Sequence, residues 1–286
     1  KYHDLVMLLV SYEAKESFNV NQTLLWAIKR SHLYIVRTMH HAGTPIYEID
    51  ERSGHCSYQL ALEHRSHRAA KLILTVQKDL DILEYPLHAA AKFGSLGCIS
   101  FLLERNAEVN AKDDHGQSPL DLALKEGRVD AVYLLLRKGA EISKTMLHAT
   151  IRAHKKKEEV YLSIGARKKQ RFFMCIQALL DNGADVNAVD DPHGRTPLHV
   201  ALMVNSFKYA ALLLRRGASI DSVDKYNRTP LQYSSQCEAC QGYCQRSLLN
   251  GRLGVKWYSM PSLIQNNCDR TIGGNISIRR TFSLNR

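Results

Sequence analysis

Residues 196–221, TPLHVALMVNSFKYAALLLRRGASID, decide how this chain folds. Thr196 offers a hydroxyl that can accept from a free amide at the start of a helix. Pro197 follows at the first helical position, where a missing N–H costs nothing. Leu198 and Ala201 lie three apart and so share one helix face, a large apolar group beside a small one. The small group lets a neighbouring helix come close. A second apolar run carrying Leu213 and Leu214 ends at Gly217, where a left-handed residue stops a helix. The stretch therefore reads as two helices joined by a turn, with one greasy flank that a single hairpin cannot bury.

The pattern recurs along the chain, with copies starting at Gln22, Cys56, Tyr85, Ser118, Thr145, Thr196 and Thr229. The steps are 34, 29, 33, 27, 51 and 33 residues. Ser118 and Thr229 repeat the cap, and Pro86, Pro119 and Pro230 repeat the proline. Leu87, Leu120 and Leu231 repeat the leucine; Ala90 and Ala123 repeat the alanine. Gly94 and Gly127 end first helices. Gly43, Gly139 and Gly183 end second helices, each of which carries a Leu-Leu pair in the later copies (Leu102–Leu103, Leu135–Leu136, Leu179–Leu180). Between helix pairs lie polar stretches such as NAKDDHGQ (110–117) and DSVDKYNR (221–228), rich in turn formers. The copy at Cys56 lacks Thr, Pro, His and both glycines. The copy at Gln22 has Leu25 and Trp26 where His and a small apolar residue are expected. The short steps predict trimmed loops before Tyr85 and Thr145.

A period near 33 with T-P-L-H-x-A is the signature of a helical repeat array. The chain resembles the ankyrin repeat family over residues 1–235. The resemblance implies an all-α solenoid of helix-turn-helix units with projecting loops, about six full repeats plus partial terminal units. The opening DLVMLLVSYEA reads as the second helix of a repeat whose first half is missing, so the chain is expected to be part of something longer.

Seven cysteines, an odd number with no even framework, suit a reducing compartment. Cys98 and Cys175 fall at core positions of second helices. No signal peptide and no membrane-length apolar run is present. The expected location is cytoplasmic or nuclear. Net charge is +11, and it is unevenly placed: residues 155–171 (KKKEEVYLSIGARKKQR) and the tail 238–286 each carry seven basic and two acidic residues. A nucleic-acid groove would spread basic residues along one face of the array, so nucleic acid is not the expected partner. Residues 155–171 are extra in the unit that starts at Thr145, between its two helices. They read as a solvated loop or helix extension, or as a docking or localisation segment.

In the tail, residues 236–286, Cys237, Cys240 and Cys244 approach metal-ligand spacing, but only Cys268 follows and no histidine does, so no metal is expected. Within 261–272 (PSLIQNNCDRTI), Ile264, Cys268 and Ile272 make one helical stripe. With Leu263, this looks like the elongin-binding box of a SOCS box, which would imply elongin B/C and a cullin as partners. The Leu263 to Cys268 spacing is five rather than four, and no later Leu- and Pro-rich cullin-selecting segment follows. Arg280 stands three before Ser283, a spacing that suits a basophilic kinase.

None of the common nucleotide, metal-protease, serine-hydrolase or kinase motifs occurs. Catalytic residues, cofactors and small-molecule substrates are therefore not expected. His88, His148 and His199 stand at the repeat histidine position. The resemblance implies an extended concave surface for a protein partner, built from fingers and first helices. The exposed, non-repeating finger residues are Asp113, Asp114 and His115; Asp190, Asp191 and His193; and Lys225, Tyr226 and Asn227. Tyr226 is the strongest single candidate by residue type, whereas each Asp is also a natural turn former. Asn110 (AEVN) and Asn187 (ADVN) resemble asparagine-hydroxylation sites of the family, with Leu102 and Leu179 eight residues earlier. Three roles follow: a plain adaptor, a substrate receptor of a ubiquitin ligase, or a nuclear or cytoskeletal regulator using the basic insertion.

Overall fold

The computed structural model describes residues 20–50, 53–76, 85–160, 166–190 and 192–234. The expectations for the opening segment, the loop before Tyr85, Asp191, and the whole tail with Leu263, Ile264, Cys268, Ile272 and Ser283 lie outside the described residues. The chain divides into two compact units, Lys1–Ala184 and Asp185–Arg286.

Unit 1 holds five helix pairs: α1 (Val20–Lys29) and α2 (Leu33–His41), α3 (Ser57–Glu63) and α4 (His67–Val76), α5 (Pro86–Phe93) and α6 (Leu96–Glu104), α7 (Pro119–Glu126) and α8 (Val129–Arg137), and α9 (Met146–Val160) and α10 (Ala166–Asp181). First helices pack on first helices (α1, α3, α5, α7, α9) and second helices on second helices (α2, α4, α6, α8, α10), giving two layers. Unit 2 holds α11 (Pro197–Met203), α12 (Phe207–Arg215) and a 3-10 turn at Pro230–Ser234. Thr229 therefore opens a 3-10 turn rather than the α-helix its pattern predicts. The described residues contain no strand, only the isolated bridge Ile49–Cys56.

One rule builds the core. In each first helix the residues at i, i+3 and i+4 are buried: Leu24, Ala27 and Ile28; Tyr58, Ala61 and Leu62; Leu87, Ala90 and Ala91; Leu120, Ala123 and Leu124; Leu147, Thr150 and Ile151; Leu198, Ala201 and Leu202. Thr150 replaces the alanine and turns its hydroxyl back to the Met146 carbonyl at 2.7 Å, which removes the cost of burying it. In second helices the buried set is i, i+1 and i+4, as in Cys98, Ile99 and Leu102, or Cys175, Ile176 and Leu179. Of each Leu-Leu pair only the first is fully buried; Leu103, Leu136, Leu180 and Leu214 are half-buried. Burial pushes the Cys175 thiol up to about 12, with the Asp130 charge adding to it.

Caps and stops follow the sequence locally. Ser118 and Asp121 exchange bonds across the first turn of α7, hydroxyl accepting from the Asp121 N–H and carboxylate from the Ser118 N–H. Thr196 and His199 do the same at α11. First helices end at Gly94 (φ 74°) and Gly127 (φ 64°), but at Ser31 (φ 60°) and Arg65 (φ 58°) in the degenerate copies and at Asn205 (φ 54°) in the copy at Thr196. Residues 155–160 continue α9 and 166–171 belong to α10, so on both sides the extra segment is helical in this structure. Six residues join Gly139 to Met146, and no hairpin stands between α8 and α9.

Candidate functional site

Each described finger is built on an aspartate. Asp50, Asp113, Asp190 and Asp224 donate their N–H to the carbonyl of His55, Gln117, Arg195 and Arg228, at 2.9–3.0 Å. The carboxylates of three of them close the loop a second time. Asp113 Oδ1 accepts from the N–H of His115 and Gln117 (3.0 and 2.8 Å). Asp190 Oδ1 accepts from Arg195 N–H at 2.8 Å. Asp224 Oδ1 accepts from Tyr226 and Arg228 N–H, both at 2.9 Å. Burial pushes the Asp113 carboxyl up, but the two N–H groups outweigh it and leave it below the usual range. Asp113 and Asp190 are thus engaged in shaping their own fingers.

The repeat histidines tie fingers to helices. His88 Nε2 lies 3.0 Å from both the Ala111 and Gln117 carbonyls, so it carries the proton and donates to them. His199 Nδ1 accepts from Thr196 N–H (3.1 Å) while its Nε2 faces the Arg228 carbonyl at 3.0 Å. A backbone N–H can only donate and a carbonyl can only accept, so His199 is neutral with the proton on Nε2. Burial lowers its pKa, in accord with that assignment. Asn110 and Asn187 clasp successive units. Their side-chain carbonyls accept from Glu141 and Ser219 N–H (2.9 and 2.8 Å), and their amides point at Gly139 and Gly217 carbonyls (3.5 and 3.3 Å).

The most developed surface is the finger pair of unit 2. The Lys225 N–H donates to the His193 carbonyl at 3.0 Å, joining the two fingers. Tyr226 is 60 % exposed, its ring 6.3 Å from His193. The Arg228 guanidinium lies 4.6 Å from the rings of both Tyr226 and Tyr233, and Arg195 stacks 5.3 Å from Tyr233. Arg228 also pairs with Asp224 at 3.1 Å, and the Tyr233 hydroxyl donates to the same carboxylate. Burial raises the Asp224 carboxyl, but Tyr233, the two N–H groups and Arg228 together hold it well below the carboxylate range. Burial and the Asp224 bond push the Tyr233 hydroxyl up.

On this frame Val189 (49 % exposed) and Val223 (51 %) stand one residue before each finger aspartate. They occupy the same register and so the same face. Sequence reasoning missed them, along with Arg195, Arg228 and Tyr233. The signal that could have found the valines is an apolar residue recurring just before the turn aspartate, at 49, 189 and 223. In unit 1 the finger at 111–117 is exposed at Asp114 and His115, and Asp114 accepts from the Tyr85 hydroxyl at 2.6 Å. Among the described residues no helix is long and apolar enough to cross a membrane.

A family model described as ankyrin repeats matches residues 58–146 and 162–252, in three copies. The chain is similar to the NF-kappa-B p105 subunit of Gallus gallus, 28% identical over 198 residues, 65% of this chain and 19% of that protein. It is also similar to the neurogenic locus notch homolog protein 1 of Homo sapiens, 31% identical over 148 residues, 52% of this chain and 5% of that protein. The neurogenic locus notch homolog protein 2 of Homo sapiens matches at 32% over 142 residues, 49% of this chain and 5% of that protein. The chain thus spans a fifth or less of the length of each of these relatives.

Proposed function

Because this chain belongs to the ankyrin repeat family, a class of protein–protein interaction module, we propose that it acts as an adaptor holding a protein partner on the finger face of unit 2. The observation that carries this reading is the apolar row Val189, Val223 and Tyr226, exposed on fingers whose backbone is already locked by Asp190 and Asp224. Preorganised loops lose little freedom on binding, so more of the contact energy appears as affinity. Tyrosine is a favoured anchor type, and here the Arg228 guanidinium holds its ring in place. Lys225 and His193 border the row and give it a polar rim.

The test is a quantitative comparison of bound proteins recovered by the full chain and by the variants Tyr226→Ala and Val223→Asp. Both side chains are exposed, so the fold should be retained, which circular dichroism checks. A specific partner should lose affinity by tenfold or more with Tyr226→Ala, on the order of 2 kcal/mol. Unchanged recovery by both folded variants refutes the finger-face reading.

A further inference from the structure

A second surface lies at the opposite end of the helices from the fingers, in unit 1. First helices run away from the fingers, so the turns between α3 and α4, α5 and α6, α7 and α8 line up along the far edge. Arg65 is the left-handed residue of the first of these turns and is exposed. Arg128 caps α8 in the third. Gly94 in the second turn has no side chain, and Arg128 lies across it: its Cδ and Cγ come 3.0 and 3.4 Å from where a Cβ would stand. The Arg128 Nε donates to the Lys92 carbonyl at 3.0 Å. Gly127 is covered in turn by the Phe172 ring, at 3.0–3.3 Å from its Cβ position, which sets Arg171 at the next place along the edge.

Three arginines from three repeats therefore gather on one edge. Among the described residues none of them makes an ion pair with a carboxylate. Burial lowers the Arg128 pKa, Arg65 and Arg171 lower it further, and the nearby Glu126 opposes them. His67 is lowered first by burial, then by Arg128 and Arg65. Like charges that press on one another this way form a standing positive potential. The N-terminal ends of α6 and α8 point to the same edge, and neither Ser95 nor Arg128 caps with its side chain, so their dipoles add to it.

We propose that this edge binds an acidic peptide segment of a protein partner, with Arg65, Arg128 and Arg171 each receiving one carboxylate. Neighbouring helices pack about 10 Å apart, so the row suits an extended peptide of roughly nine residues at about 3.3 Å each. The exposed Leu96 lies inside the row, and Glu126 and Asp130 border it. A nucleic-acid backbone would carry its evenly spaced charges past those carboxylates. A peptide can place acids opposite the arginines and an apolar side chain on Leu96. The surface is separate from the finger face and stands whether or not that face binds.

The test uses the full chain and a fluorescein-labelled nonapeptide of glutamate, read by anisotropy at two salt concentrations. Its comparisons are single-stranded DNA of matched charge and phosphatidylserine vesicles. The triple variant Arg65→Asn, Arg128→Gln, Arg171→Gln should weaken peptide binding at least tenfold. Asparagine keeps the left-handed backbone at position 65. The control Arg105→Gln, Arg137→Gln, Lys138→Gln removes equal charge from the other end of α6 and α8 and should cost less than twofold. The single exposed change Arg171→Glu should cost at least threefold, and it decides the matter if the triple variant fails to fold. No peptide binding by the parent chain, equal losses in triple variant and control, an unaffected Arg171→Glu, or tighter arginine-dependent binding of DNA or vesicles would each overturn the proposal.

Discussion

Ser31, Arg65 and Asn205 hold a left-handed backbone that glycine holds at the same turn in the copies at Tyr85 and Ser118. An L side chain there costs about 1–2 kcal/mol, less for asparagine. Ser31→Gly should therefore raise stability by roughly 0.5–1 kcal/mol in urea denaturation, because the strain relieved exceeds the added freedom of the unfolded chain. Gly127→Ala should do the reverse and cost more, since its Cβ would meet Phe172 ring atoms at 3.0–3.3 Å besides adopting a strained φ. His199 offers a titration with a definite sign. Its folded pKa is depressed, so the stability it contributes is complete above about 6.5 and is lost as pH falls below that value. Ring-nitrogen NMR should show the Nε2–H tautomer at neutral pH and a midpoint below 6.5; a midpoint above it would contradict the bonding to Thr196 and Arg228.

At the level of the element, the paired leucines separate what composition cannot. Leu135 is wholly buried and Leu136 only half so. Leu135→Ala should cost about 3 kcal/mol, against roughly 1 kcal/mol for Leu136→Ala, in the same urea measurement. The asparagine clasps belong to the same scale. Asn187→Ala leaves the Ser219 N–H without its partner and should cost about 1 kcal/mol. The finger pair of unit 2 responds to pH at both ends. Asp224 is depressed, so its contribution is complete above about 4 and disappears as pH falls below that. Tyr233 is raised, so its contribution holds below about 10 and fades above it. Finger resonances followed by NMR should stay native between those limits, and Tyr233→Phe should narrow the acid side of the range.

Across the whole molecule, a repeat array is stabilised chiefly by contacts between neighbouring units, and segments that project from it contribute little. Replacing residues 156–170 with a short turn, which shortens α9 and α10 together, should change unfolding free energy by less than about 1 kcal/mol. A larger loss would show that the extra segment folds back on the array. The helical hairpins, their starts and stops, and the core positions were legible in the sequence, because Thr-Pro-Leu, the alanine three residues on and the terminal glycine each act through local geometry. The candidate site was only half legible. Tyr226 stood out by type and exposure, while Val189 and Val223 are ordinary residues whose shared face exists only once successive units are set in register. Arg65, Arg128 and Arg171 lie as many as 106 positions apart. Sequence alone determined that this chain is a row of helical hairpins, since each hairpin is specified by its own residues. Tertiary structure alone decided which finger residues are consumed by their own turns and which arginines meet, because bonding and repulsion between repeats depend on distances in space that no local pattern records.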